Sequence, residues 1–65
     1  MKVDIKKLNI CVASSCMSLL EISKESGVDA VTINRILSGK QNPRRCTIGR
    51  IAKALKIDVT AILED

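Results

Sequence analysis

The sequence predicts an all-α fold, a compact five-helix domain, and three observations carry that prediction. Aliphatic residues recur at three- and four-residue spacing along most of the chain, as they do on one face of a helix. Ser or Asp stands at the start of several of these runs, and Gly27 and Gly39 stand just past the ends of two. Finally, 46% of the 65 residues are apolar, yet none is Phe, Trp or Tyr. The core must then be built from Ile, Leu, Val, Ala and Met, a set better suited to packed helices than to a sheet. A chain of this length makes a single domain, spanning 1–65, with a small core and a thin stability margin.

Each element has its own signal. Ile5, Leu8 and Val12 line one face of a first helix from about Ile5 to Ala13, and Ser14 and Ser15 weaken the pattern beyond it. The second helix opens on Ser18 and Glu21, an S-x-x-E capping box, with Met17 and Ile22 at the positions of a hydrophobic staple. It ends at Gly27, where a left-handed residue without a Cβ is wanted. The same grammar repeats at once. Asp29 is the expected N-cap of a third helix, Val28 and Ile33 are its staple pair, and the helix runs from Ala30 to about Ser38 before Gly39. Lys40 to Pro43 read as a loop, because Pro43 disfavours a helical Asn42. A fourth helix carries Ile48, Ile51, Ala52 and Leu55. A short fifth starts at an Asp58 cap with Ile57 and Ile62 as its staple. No internal repeat or low-complexity linker interrupts the run.

The net charge of +4 is unevenly distributed. Over residues 1–34, Lys2, Lys6, Lys7 and Lys24 are balanced by Asp4, Glu21, Glu25 and Asp29. Over residues 35–56 stand Arg35, Lys40, Arg44, Arg45, Arg50, Lys53 and Lys56 with no carboxylate at all. Residues 57–65 are acidic, with Asp58, Glu64 and Asp65. A charge run alone reads as a solvated face. Seven cations without an interspersed acid are instead the footprint of a polyanionic partner.

Composition excludes several function classes. Single-strand binding rests on aromatic platforms for base stacking, and there are none. The absence of His removes the commonest general base and metal ligand. Cys11, Cys16 and Cys46 lack zinc-site spacing, so no metal or other cofactor is expected. Cys16 has no basic neighbour in sequence to activate it and reads as a packed or idle thiol. Ser14, Ser15 and Ser18 have no partner base, and no constellation supports an enzyme or a small-molecule substrate site. No apolar run is long enough for a signal peptide or a membrane span, and reduced cysteines suit the cytoplasm.

The stretch from residue 19 to 38 is the informative part. Only Val28 and Asp29 separate Gly27 from the third helix, and so short a turn forces two helices to cross steeply. Ser23 supplies the small residue expected where they touch, and Ile22, Val28, Ile33 and Ile36 close the angle. The outer face of the third helix then holds Ala30, Val31, Asn34 and Arg35. Asn34 has the donor and acceptor pair that matches adenine. Arg35 suits guanine or a phosphate, and Ala30 and Val31 suit a thymine methyl.

With those residues in place, the chain resembles the phage Cro and repressor-like, or XRE-type, helix-turn-helix regulators. The resemblance runs through Leu20 to Ile36, the SGKQNP segment at Ser38 to Pro43, and RIAKALKIDVTAIL at Arg50 to Leu63. It implies a lambda-repressor-like five-helix fold and a recognition helix at about 30–38 in the major groove of double-stranded DNA. It also implies two half-sites bound by a homodimer, here a weak one completed on DNA, acting most simply as a repressor. Carried over by position, Ala30, Val31, Asn34 and Arg35 contact bases. Ser18, Thr32, Lys40, Asn42 and Arg44 contact phosphates.

The departures from the family pattern are specific. Leu19 stands where Gln is usual, and Val12 and Leu37 stand where many members pair Arg with Glu. An apolar contact in place of that ion pair is neutral or stabilising in comparable cases. Asp29 would repel phosphate unless its carboxylate is consumed as the N-cap, which is the expectation. Leu19 and Leu20 fall on the outer side of the second helix in the family register. With the apolar opening of the third helix, they motivate an alternative: an antitoxin-like or regulatory protein-interaction module that binds DNA weakly.

Overall fold

A computed structural model describes residues 2–64. Four α-helices appear in chain order: α1 (Ile5–Ser15), α2 (Leu19–Ser26), α3 (Ala30–Leu37) and α4 (Arg45–Ala54). The expected fifth helix is a single 3-10 turn over Val59–Ile62. Its cap and staple residues are those expected. Four residues cannot amortise the nucleus of an α-helix, and the tighter i→i+3 winding is the usual form of so short a piece.

The first helix is longer than the apolar periodicity suggests. The Ser15 hydroxyl donates to the Val12 carbonyl and accepts the Met17 N–H at 3.2 Å, so the serines close the helix instead of breaking it. Cys16 then turns the chain with a positive φ of 58°. At the other end, the Asp4 carboxylate accepts the Lys7 N–H at 3.1 Å, a cap the periodicity alone does not reveal.

α2 and α3 form the two arms of a short corner. The α2 capping box is complete: the Ser18 hydroxyl accepts the Glu21 N–H at 3.2 Å, and the Glu21 carboxylate accepts the Ser18 N–H at 2.9 Å. Gly27 ends the helix at φ 74°, its N–H bonded to the Ser23 carbonyl at 2.8 Å. Ser23 is only half-buried. The buried polar residue at the corner is Ser26, whose hydroxyl accepts the Val28 N–H at 3.1 Å. That bond satisfies a backbone donor which the turn would otherwise bury without a partner.

Twelve residues make the core: Val3, Leu8, Ile22, Val28, Ile33, Ile36, Ile48, Ile51, Ala52, Ala54, Leu55 and Ile62. All are aliphatic, as the composition requires. Met17 and Ile57, the outer halves of two staple pairs, are half-buried against this core. α2 packs against both α3 and α4, α1 packs against α3 and the 3-10 turn, and α4 packs against that turn. Val12 and Leu37 are both half-buried against the core, as expected of an apolar replacement for an ion pair.

The ends of the chain are tied together. Val3 and Leu63 form an antiparallel bridge, flanked by Asp4 N–H to the Ile62 carbonyl at 2.8 Å and Glu64 N–H to the Lys2 carbonyl at 2.9 Å. Periodicity cannot announce a contact sixty residues apart. Among the described residues, no helix is long and apolar enough to cross a membrane.

Candidate nucleic-acid interface

α3 has a sharply divided surface. Ile33 and Ile36 are buried, while Val31, Asn34 and Arg35 are exposed and Ala30 is half-buried. At 3.6 residues per turn, Val31, Asn34, Arg35 and Ser38 fall within a sector of about 100°. That edge mixes an apolar surface, an amide, a guanidinium and a hydroxyl. Val31 is 58% exposed, a large apolar side chain that no intramolecular packing explains. The side chain of Ser38, which the sequence reading did not single out, is turned back to donate to the Asn34 carbonyl at 2.8 Å. Thr32 is half-buried and lies on the opposite flank from Asn34, so the helix does not bring it onto the same edge.

The end of α3 leads directly into the cationic block. Gly39 takes φ 76°, its N–H bonds the Ile36 carbonyl at 3.0 Å, and the Lys40 N–H bonds the Arg35 carbonyl at 2.9 Å. These two bonds are a Schellman closure, and they satisfy carbonyls of the last turn while redirecting the chain. Lys40, Asn42 and Arg44 follow on an exposed loop, and Pro43 lies between the last two. All seven cations from Arg35 to Lys56 are exposed. A shallow depression brings Lys2 and Lys6 beside Gly39 and Asn42. Asp4 and Glu64 line the same depression, so the two lysines lie beside the loop together with two carboxylates.

The N-terminus of α2 is less open than the family register implies. Ser18 spends its N–H on Glu21, and what it can offer an outside acceptor is its hydroxyl proton, which the Glu21 carboxylate also attracts. The same bond holds the Glu21 carboxyl below its ordinary value. The Ser18 backbone N–H is the largest cause, the Ser18 hydroxyl follows, and Lys24 adds a favourable charge. Leu19 is half-buried against the core, which corrects its expected outward position; Leu20 is outward, at 69% exposure. Leu19 therefore replaces a polar side chain with a packing one.

Asp29 also departs from expectation. It occupies the N-cap position of α3, and its carbonyl accepts the Ile33 N–H at 3.0 Å, but its side chain makes no capping hydrogen bond. The carboxylate is exposed and not consumed.

A buried-faced helix after a glycine corner, with an exposed polar edge and an acid-free cationic loop, defines a helix-turn-helix DNA-binding protein. A helix-turn-helix family model matches residues 17–62, and the chain belongs to that family, whose XRE-type members are DNA-binding domains and not enzymes. No curated protein and no solved structure matches the chain. Cys11, Cys16 and Cys46 are unpaired, and no group of three metal-ligating side chains gathers among the described residues.

Proposed function

We propose that the chain, acting as one domain over residues 1–65, is a sequence-specific regulator of transcription, most simply a repressor. It binds duplex DNA as a weak homodimer that is completed on two half-sites. The carrying observation is the exposed edge of α3 running straight into seven exposed cations. In this reading α3 enters the major groove. Asn34 pairs with adenine, Arg35 with guanine, and Ala30 and Val31 pack on a thymine methyl. Lys40, Asn42 and Arg44 hold phosphates, with Ser18 contributing its hydroxyl and Thr32 touching the backbone from the flank.

A salt titration of duplex binding tests the electrostatic half. Neutralising about four to six phosphates per subunit gives log K against log salt a slope of roughly −4 to −5 per subunit. Absence of salt dependence, together with no preference over random duplex, would overturn the reading. Two variants separate the roles. Asn34→Ala relaxes preference at one base pair by about 1–3 kcal/mol. Arg44→Ala weakens all duplexes alike and lowers the slope by about 1.

A second reading, an antitoxin-like or regulatory module with a protein partner, keeps one supporting observation, the exposed Leu20. A stable stoichiometric protein complex from the native source, with only weak and unspecific duplex binding, would favour it.

A further inference from the structure

Five residues occupy N-cap positions, and they sort cleanly by what their side chains do. The carboxylate of Asp4 and the hydroxyl of Ser18 each accept a first-turn N–H of their own helix, and Asp58 does the same for the 3-10 turn. Arg44 has no acceptor to offer. Asp29 has one of the best capping side chains available and does not use it. Its carboxylate stands exposed at the entry to α3, one residue before Ala30 and two before the exposed Val31.

A free carboxylate there is costly for simple phosphate binding, because like charges repel. In a groove it has one productive use, accepting a hydrogen bond from a base. The major-groove edge offers two amino donors, adenine N6 and cytosine N4. Adenine N6 sits beside the N7 acceptor of the same base, whose lone pair opposes a carboxylate. Cytosine presents N4–H2 without such a neighbour on its own ring, and it is the base that acidic side chains read. We infer that Asp29 is a specificity-determining residue that accepts a hydrogen bond from a cytosine N4 amino group at the start of α3. This rests on the DNA-binding reading above. Asn34 lies five residues further on, about 7.5 Å along the helix axis and about 140° round it, so Asp29 acts from the helix entry and not from the Asn34 edge, and the cytosine belongs to a different base pair from the one Asn34 reads.

The test is selection from a random duplex library by the full chain and by Asp29→Ala and Asp29→Asn, followed by affinities for single-base variants of the selected site and thermal melts. The wild-type chain is expected to prefer cytosine at one half-site position about tenfold or more. Asp29→Ala loses that preference alone and keeps the one that depends on Asn34; its melting temperature falls by no more than a lost carboxylate at a helix N-terminus accounts for, because no capping bond is lost. Asp29→Asn moves the preference at that position from cytosine to adenine, since an amide pairs with adenine N6 and N7. Three results overturn the inference: a cytosine preference that survives in Asp29→Ala, a uniform tightening on every duplex, or a lowered melting temperature with preferences intact. A wild-type chain without any sequence preference overturns the DNA-reading proposal as well. Preferences that depend on Asn34 but not on Asp29 overturn this inference alone.

Discussion

α2 and α3 have the same length and the same cap-and-staple grammar, yet they dispose of their polar groups in opposite ways. α2 turns those at its ends on itself, although Lys24 and Glu25 stay exposed: Ser18 and Glu21 satisfy each other's backbone, and Ser26 closes the corner from inside. α3 leaves them outward, with the Asp29 carboxylate uncapped and Asn34 and Arg35 exposed. A helix whose side chains are spent on its own ends is a support. A helix whose side chains are unspent is adapted to a partner. The contrast is sharper than amphipathicity, because both helices bury an apolar face.

The largest test of this division is Ile22→Ala on the supporting helix. Ile22 is fully buried where α2 meets its neighbours, and truncating such a side chain costs about 2–5 kcal/mol. A domain of this length has on the order of 3–10 kcal/mol in total. Denaturant titration is expected to show a domain near its unfolding threshold at room temperature. Asn34→Ala, on the outward edge of α3, is expected to leave the same titration unchanged within about 0.5 kcal/mol. Equal losses in the two variants would erase the distinction between support and reader.

The left-handed corners come next. Gly27 has φ 74°, and a Cβ built there meets nothing within 4 Å, so Gly27→Ala carries a conformational penalty without a clash. The expected loss is about 1–2 kcal/mol. Lys56 closes α4 with φ 58°, its N–H on the Lys53 carbonyl at 3.1 Å and the Ile57 N–H on the Ala52 carbonyl at 3.0 Å. This is the closure seen at Gly39, made without a glycine. Lys56→Gly is expected to gain up to about 1 kcal/mol, less whatever the freer unfolded chain takes back. Thermal melts of the pair should move in opposite directions. Movement in the same direction would mean that α2 and α4 are closed by something other than backbone conformation.

These corners also show what the sequence could tell. The capping box, the staple residues and the Gly27 and Gly39 stops are local events within six residues, and local rules find them. Asp29 departs from its expected cap because capping preference describes a position, whereas the bond depends on where one side chain points. The pairing of Val3 with Leu63, and with it the placement of Lys2 and Lys6 beside Asn42, is non-local and leaves no periodic trace. The fifth element winds as a 3-10 turn although its signals are those of a helix, because a cap and a staple mark a start and say nothing about the winding that follows. The outward position of Leu19 follows from a family register in which the side chain is polar, and an apolar side chain there turns to the core instead.

The smallest effect concerns the α2 cap itself and separates its two bonds. Ser18→Ala removes the hydroxyl that accepts the Glu21 N–H, for a loss of about 1 kcal/mol. Glu21→Gln keeps a side-chain acceptor but removes the charge. The folded state holds the Glu21 carboxyl below its ordinary value of 4.5, chiefly through the Ser18 N–H. A lowered carboxyl contributes stability that is fully present above that ordinary value and is lost as pH falls through the folded one. The gap between the wild-type chain and Glu21→Gln should therefore be constant from neutral pH down to about 5 and close below 4.5. The part of the Ser18→Ala loss that comes from the hydroxyl accepting the Glu21 N–H should persist in acid, whereas the part by which that hydroxyl favours the Glu21 carboxylate fades as Glu21 takes up its proton. Asp58, lowered by the Thr60 N–H and hydroxyl, titrates in the same direction in every variant and cancels from the difference. A gap that stays open at pH 3 would show that the Glu21 amide-for-carboxylate exchange acts through geometry and not through charge.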